Sequence, residues 1–320
     1  MKRVLITGFT GFVSKYLLDH LADSTNEFII LGLSRSQHFE AFSIKNLTIS
    51  VKKIDLTNQL ELQDILAQFR PDYIYHLASD SSVSYSWHKP IESFQNNTNI
   101  FLNLVESVRL LGLKCRILSV GSSEEYGMVD AENLPLTEES PLNPVSPYAV
   151  ARVSQELLSK VYVQGYGIDI IMTRSFNHIG PNQKDNFVIS SFAKQIIQYK
   201  RGLVSTIEVG NVSIIRDFMD VRDVVKAYTA LIHDGSKGEV YNICSNQGYS
   251  LEKVITKMMQ LAGVAHSYTS NAKLIRPVDN PVIVGSNAKI KAHCGWQPTI
   301  PFEQTLRDML NYWDSQLQSS

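Results

Sequence analysis

The chain has 320 residues, of which 44% are hydrophobic and 19% are charged, and its formal net charge at pH 7 is -1. This length can bury a full core and still carry a second, smaller lobe. The near-zero charge gives no electrostatic footprint for nucleic acid or an anionic membrane, so we expect neither as a partner. Cys115, Cys244 and Cys294 are too far apart for a disulfide framework or a zinc site, and we expect no structural metal.

The amino terminus carries an apolar run that covers only residues 4–6 before a glycine-rich stretch interrupts it. That run is too short for a signal peptide, and no apolar segment of about 18 residues occurs elsewhere in the chain. We therefore expect a cytoplasmic protein.

Short apolar runs alternate with helix-period segments through the first half of the chain. The predicted buried strands cover residues 3–7, 28–33, 48–53, 73–77, 115–120 and 168–174. The predicted helices between them cover residues 11–21, 59–68, 90–111 and 146–165. This alternation is typical of α/β proteins and predicts a doubly wound parallel Rossmann sheet with helices on both faces.

The pattern loosens in the second half, where further helices are predicted over residues 187–200, 221–233, 250–262 and 302–315. Loops rich in Asn, Pro and Arg separate them. We interpret residues 1–175 as a dinucleotide-binding domain and residues 176–320 as a smaller α/β carboxy-terminal substrate lobe. The segment 210–245 is expected to return to the first domain and complete its sheet.

A glycine turn follows the first predicted strand directly and opens the first helix. Glycines there allow the backbone to turn tightly and approach a pyrophosphate, whose charge meets the free N–H groups of the helix start. The strand before the turn and the helix after it supply the context that the motif requires, and an ordinary tight turn is the alternative. Ser14 takes the third glycine position and is small enough to preserve close packing. The residues predicted to bind the cofactor here are Gly8, Thr10, Gly11, Phe12 and Val13.

The end of the second predicted strand carries Arg35 between two serines, and an acidic residue that would chelate the ribose diol of NAD is missing there. An arginine suits an adenosine 2′-phosphate, so the sequence favours NADP(H) over NAD(H), with a solvated loop arginine as the alternative. Asp55 and Leu56 follow the third strand, where a carboxylate can accept from the adenine amino group. Leu77 and Ala78, at the end of the fourth strand, complete the predicted cofactor-binding set.

Tyr148 and Arg152 are four residues apart on a predicted helix, so the phenol and the guanidinium project from the same face. A nearby cation favours the ionised phenol, which makes a tyrosine usable as an acid–base group. Ser122 ends the fifth strand at the carboxyl edge of the sheet, where a hydroxyl can polarise a substrate carbonyl. Taken singly, a Tyr–Arg pair is more often a surface contact, but its coincidence with the serine and the glycine turn favours a catalytic site.

At this point the chain resembles the extended short-chain dehydrogenase/reductases that act on nucleotide sugars. Within them it is most similar to the GDP-4-dehydro-6-deoxy-D-mannose reductase branch, which forms GDP-rhamnose and lies near the GDP-mannose 4,6-dehydratases. The matching segments are GSSEEYG (121–127), SPY (146–148), RSFNHIGP (174–181), GN (210–211), RDFMDVRD (216–223), RP (276–277) and GWQP (295–298).

The resemblance implies reduction of a GDP-4-keto-6-deoxy sugar by NADPH, with Ser122 on the carbonyl oxygen and Tyr148 as the acid. The family carries lysine at the position of Arg152; arginine keeps the charge but is longer and planar. Arg152 is expected to keep the electrostatic role and to contact the cofactor together with Tyr148. Forked arginine donors suit a diphosphate. The residues expected to bind substrate are Ser123, Glu124, Asn177, Arg216, Arg276 and Asp279.

Three alternatives stay open. A 4,6-dehydratase needs a carboxylate base, and Glu124 occupies that position, which makes it a candidate catalytic residue; an epimerase is a further possibility. The reductase is favoured because the chain is shorter than the dehydratases and lacks their Arg-Arg segment after the second strand. A non-catalytic NADP-binding protein is the third alternative, because Arg152 breaks the usual pair. The helices over 90–111 and 146–165 carry enough apolar surface to pair in a homodimer.

Overall fold

A computed structural model describes residues 1–265, 267–275, 278 and 280–318. Its strands are β1 (Lys2–Thr7), β2 (Phe28–Ser34), β3 (Phe39–Ile44), β4 (Leu47–Lys53), β5 (Tyr73–His76), β6 (Arg116–Ser122), β7 (Asp169–Ser175), β8 (Asn177–Ile179), β9 (Glu208–Val209), β10 (Ile215–Asp220), β11 (Val240–Ile243), β12 (Gly248–Ser250), β13 (Thr269–Ser270) and β14 (Val282–Ile283). Its α-helices are α1 (Phe12–Ala22), α2 (Gln59–Phe69), α3 (Val83–His88), α4 (Pro90–Leu110), α5 (Pro147–Tyr166), α6 (Val188–Lys200), α7 (Val221–Asp234), α8 (Leu251–Ala262), α9 (Ala288–Cys294) and α10 (Phe302–Gln316). Every predicted strand and helix occurs within two residues of its predicted bounds.

The large sheet has eight strands in the order β11-β7-β6-β5-β1-β2-β4-β3. All neighbouring strands are parallel except β3, which pairs with β4 in the antiparallel direction. Helices α1, α7 and α9 pack on one face, and α2, α4 and α5 pack on the other. The predicted doubly wound α/β fold is confirmed.

Strand β3 was not predicted from the sequence. All six of its residues are exposed, so its side chains show no alternation between buried and exposed positions. A hairpin turn at Lys45, whose φ of 51° is left-handed, returns the chain into β4. The strand therefore forms because β4 offers it a free edge, which a burial pattern cannot reveal.

The smaller lobe is built around β10, which pairs with β8, β12 and β14, and helices α6, α8 and α10 cover it. The segment 210–245 is divided between the two parts of the molecule. Strand β10 lies in the smaller sheet, whereas α7 packs on α1 and β11 pairs with β7 in the large sheet. The boundary between the two predicted domains stays a prediction.

A buried ion pair fixes helix α5 on the sheet. The Arg174 guanidinium on β7 donates to both carboxylate oxygens of Glu156 on α5, from Nε at 2.8 Å and from Nη2 at 2.9 Å. Arg174 Nη1 also donates to the Tyr126 hydroxyl at 3.0 Å. Although burial opposes it, the bonds and charge of Arg174 lower the pKa of Glu156. Because α5 carries Tyr148 and Arg152, this forked pair helps to fix where their side chains lie.

Candidate active site

The glycine turn between β1 and α1 has the shape that a pyrophosphate requires. Gly8 adopts a left-handed φ of 68°, and a Cβ on it would come within 2.9 Å of the Ala78 backbone nitrogen. Gly11 lies at the N-cap of α1, and no side chain of the described residues caps the first N–H groups of that helix. Ser14 is fully buried against the sheet, in keeping with a small residue at the third position. A narrow turn with free N–H donors therefore fits an anionic cofactor.

Arg35, predicted to bind the adenosine side of the cofactor, lies close to the carboxylate of Asp80. The Arg35 side chain is 67% exposed, and its Nη2 lies 3.5 Å from Asp80 Oδ1. Asn96 donates to the other Asp80 oxygen at 2.7 Å, and Asn97 Oδ1 accepts from the Asp80 N–H at 2.9 Å. Asp80, which the sequence analysis missed, is thus fixed by α4 and faces Arg35.

Asp55 follows β4 with its carboxylate already engaged. The Thr57 backbone N–H and hydroxyl both donate to Asp55 Oδ1, and these two bonds lower the pKa of Asp55. Leu56 beside it is buried, so only its backbone is available on the cofactor side. The other oxygen of Asp55 remains the candidate acceptor for an adenine amino group.

The end of β5 is fixed by Thr7 on β1. The Thr7 hydroxyl accepts from the Ala78 backbone N–H at 3.1 Å and lies 3.0 Å from His76 Nδ1. Burial, with a smaller contribution from the charge of Arg152, lowers the pKa of His76 to about 3. His76 is therefore a neutral core residue, and it sets the position of the neighbouring Leu77 and Ala78.

Ser122 ends β6 and begins a 3-10 turn, Ser123–Tyr126, that packs against α5. Its Oγ accepts from the Glu124 backbone N–H at 3.2 Å, and its own N–H donates to Glu125 Oε1 at 2.7 Å. These two bonds form a reciprocal capping box. Ser123 is buried and Glu124 is half-buried in the same turn. The hydroxyl hydrogen of Ser122 is not used by either bond and is free to donate to a substrate.

Tyr148 and Arg152 meet as their spacing predicts. Pro147 and the Ser146 cap begin α5, so Tyr148 lies in its first turn. Arg152 Nε donates to the Tyr148 hydroxyl oxygen at 3.2 Å, and Nη1 donates to Val120 O at 3.0 Å and to Gln155 Oε1 at 2.6 Å. The guanidinium is buried, and it donates one hydrogen bond to the phenol and another to a backbone carbonyl of β6. Gln155, also missed from the sequence, anchors it.

Asn177 and Arg216, expected on the substrate side, lie on adjacent strands of the smaller lobe. Asn177 on β8 is half-buried and pairs with Phe218 of β10. Arg216 is 4% exposed, and its Nη1 donates to Ile215 O at 2.9 Å and to Asn280 O at 2.7 Å. Arg276 and Asp279 lie outside the described residues. His178, beside Asn177, stacks on Phe12 of α1 with ring centroids 6.3 Å apart, which links the two lobes.

Across the described ranges, no group of three or more His, Cys, Asp or Glu side chains is placed to hold a metal ion. Over the same ranges, no helix is both long and apolar enough to cross a membrane.

A model of a known protein family matches most of the chain. The family model described as GDP-mannose 4,6 dehydratase matches residues 5–309. The chain belongs to this family. It is 32% identical to a GDP-6-deoxy-D-mannose reductase from Pseudomonas aeruginosa, over 99% of both chains. It is 26% identical to a GDP-mannose 4,6-dehydratase from Yersinia enterocolitica, over 97% of this chain and 93% of that one.

A solved structure of RMD from Pseudomonas aeruginosa in complex with NADPH matches with a TM-score of 0.86 and 32% identity, and the match covers 99% of this chain and 100% of that chain. These likenesses confirm the predicted nucleotide-sugar family and the prediction of an NAD(P)-dependent enzyme. The similar proteins include a reductase and a dehydratase, so membership of the family does not by itself determine which reaction this chain catalyses.

Replacing Arg152 with lysine tests how the guanidinium is used. Lysine keeps the charge, but one nitrogen cannot occupy the positions of both Nε and Nη1, so bonds to the sheet are lost. We expect Arg152→Lys to lower the free energy of unfolding by about 1–2 kcal/mol, measured by urea denaturation followed by circular dichroism. The control is Arg307→Lys at an exposed pair with Glu303, where we expect a change below about 0.5 kcal/mol. Equal effects of the two substitutions would contradict this account of Arg152.

Proposed function

We propose that the chain uses NADPH to reduce a GDP-4-keto-6-deoxy sugar at carbon 4, giving a GDP-6-deoxy sugar of the GDP-rhamnose type. The observation that carries the proposal is the contact between Arg152 and the Tyr148 hydroxyl, 3.2 Å long, in the helix that packs against the Ser122 turn. This preserves a charged partner for the tyrosine despite the departure from lysine. The 32% identity to a reductase over nearly the whole chain supports the same reaction.

The chemistry divides among three side chains. A bound NADPH supplies the hydride for carbon 4. The Ser122 hydroxyl donates to the carbonyl oxygen, and the Tyr148 hydroxyl gives that oxygen its proton, so the carbonyl becomes an alcohol. The Arg152 guanidinium, bonded to the phenolic oxygen, stabilises the negative charge left on it. Solvent then restores the proton of Tyr148.

The nucleotide side of the substrate falls to the smaller lobe. Arg216 is fixed by two backbone carbonyls, so little side-chain entropy remains to be lost when it meets a diphosphate. Asn177, on the adjacent strand, belongs to the same proposed surface. Ser123 and Glu124, in the turn after β6 of the large sheet, complete the described part of the proposed substrate site. Arg276 and Asp279 remain part of the proposal from the sequence alone.

A 4,6-dehydratase is the second candidate because Glu124 is half-buried in the turn that follows Ser122. In that position its carboxylate is available as the base that removes a proton beside the keto carbon. The named relatives include a GDP-mannose 4,6-dehydratase at 26% identity. The reductase consumes NADPH, whereas the dehydratase takes a hydride from its substrate and returns it, so the net change in the cofactor separates the two reactions.

The purified protein with GDP-4-keto-6-deoxymannose and NADPH should show loss of the reduced cofactor's absorbance in proportion to product. We expect Tyr148→Phe to lower kcat by about 10²–10⁴-fold, because the proton donor is lost. Tyr166→Phe, an exposed tyrosine on the same helix, is the control and should leave kcat unchanged. In a parallel assay with GDP-mannose and NADP⁺, consumption of the sugar with no net change in the cofactor would instead favour the dehydratase, because that reaction takes a hydride from carbon 4 and later returns it. No turnover of either sugar while NADPH still binds would contradict both reactions and would favour a non-catalytic protein.

The preference for NADPH is proposed from Arg35, whose exposed guanidinium lies at the end of β2 beside the cofactor turn. We expect Arg35→Ser to lower kcat/KM for NADPH by roughly 10- to 100-fold, since a charge-assisted bond to the 2′-phosphate is lost. The value for NADH should stay the same. Steady-state kinetics with both cofactors checks this, and Arg307→Ser on α10 is the matched control. A parallel loss with both cofactors would contradict the assignment.

A homodimer is proposed from an exposed apolar stripe on α4 and α5. Leu157 and Val161 on α5 and Ile91, Phe94 and Leu102 on α4 are exposed, and the two helices pack side by side. Light scattering should give twice the chain mass of 36.0 kDa, and Leu157→Glu should reduce the mass to that of one chain. Leu60→Glu, at a leucine on α2 that is even more exposed than Leu157, is the control and should keep the dimer. A wild-type mass of one chain would overturn the proposal.

A further inference from the structure

Glu125 is a completely buried carboxyl group that the proposed mechanism does not use. Its Oε1 accepts the Ser122 backbone N–H at 2.7 Å, while its Oε2 has no hydrogen-bond partner among the described residues. Burial and the charge of Glu156 raise the pKa of Glu125 to about 8, although the bond from the Ser122 N–H and the charges of Arg174 and Arg152 oppose the shift. An apolar side chain would fill this space without that cost. The bond to Ser122 is the contribution that an apolar side chain cannot replace.

The strand is shaped to admit this carboxyl group. A Cβ on Gly121 would collide with Glu125 Oε1 and with the Thr173 carbonyl oxygen. Only glycine at that position allows Glu125 to fold back over β6 and reach the N–H of the next residue. Gly121 and Glu125 are thus two separate residues that serve the same contact.

The contact has a direct consequence for the Ser122 hydroxyl. The Ser122 backbone N–H donates to Glu125, and the Ser122 Oγ accepts from the Glu124 N–H, so both the backbone and the side chain of Ser122 are fixed by hydrogen bonds. The Glu124 N–H uses one lone pair of the hydroxyl oxygen, and neither bond uses the hydroxyl hydrogen. Without the Glu125 contact, the Ser122 N–H at the strand end would lack an acceptor. The Ser122 Oγ could then rotate toward that N–H and away from the substrate.

We propose that Glu125 is a positioning residue, which holds the Ser122 backbone so that the hydroxyl stays aimed at the substrate carbonyl. The expected effect on kcat rests on the proposed reduction. The expected effect on the position of Ser122 rests on the hydrogen bond alone. Glu125 acts through Ser122 and does not touch the substrate.

The test is a double-substitution cycle with matched side chains. Glu125→Gln keeps an acceptor at Oε1, and Glu125→Met is nearly the same size but offers only a weak one. We expect Glu125→Gln to keep kcat within about 3-fold and Glu125→Met to lower it by roughly 10-fold or more, with KM for NADPH unchanged. In a Ser122→Ala background, Glu125→Met should have no further effect. Equal losses in both backgrounds, or equal losses for Gln and Met, would overturn the proposal.

An activity-independent measurement separates this inference from the proposed function. Hydrogen exchange of the Ser122 amide should be slow in the wild type and in Glu125→Gln and should accelerate in Glu125→Met. If the wild type reduces no keto sugar, the proposed reaction fails while this measurement still decides whether Glu125 holds Ser122. If Glu125→Met does not bind NADPH, Glu125→Asp takes its place, since it keeps a carboxyl group but its side chain is one methylene shorter, which weakens the bond to the amide. Unchanged exchange in the substituted protein would overturn the proposal.

Discussion

Parallel alignment of the central strands is the constraint on which the site depends. Because β1, β2, β4, β5 and β6 run in one direction, their carboxyl ends meet at one edge of the sheet. The glycine turn, Arg35, Asp55, Ala78 and Ser122 all follow or end one of these strands, so residues more than one hundred positions apart in the sequence become neighbours. Right-handed crossovers then place α5 beside β6, where Tyr148 and Arg152 reach the same edge.

Beneath that edge, neighbouring carboxyl groups are driven toward opposite protonation states. Burial raises the pKa of Glu125, whereas the forked bond to Arg174 lowers that of Glu156 despite its own burial. Arg174 donates to Glu156, to Tyr126 and to a backbone carbonyl, and it acts on Glu125 only through its charge. One carboxylate thus anchors a helix, and the other is left to cap a strand end. Such divergence is what a low-dielectric interior does to two like charges.

The features that sequence could predict are those carried by local pattern. Apolar runs predicted six of the eight strands of the large sheet, all but β3 and β11, and a four-residue spacing placed Arg152 on Tyr148. The capping box at Ser122 was not predicted, although a serine followed three positions later by Glu125 is its sequence signature. Strand β3 and the two- and three-residue strands around β10 left no such trace, since they exist only through pairing with distant partners. The pairing of Asp80 with Arg35 was hidden for the same reason: it joins two loops across the sheet.

The late position of β11 has a consequence for how the molecule is made. Strand β7 is complete at residue 175, but its neighbour begins only at residue 240, after α6, β10 and α7 have been synthesised. Until then the edge of β7 is bare and the face that α7 covers is exposed, so a nascent chain that stops there presents an unpaired strand. The large sheet and the smaller lobe built around β10 are therefore interleaved along the chain, and most of both must be synthesised before β7 is paired and the face under α7 is covered.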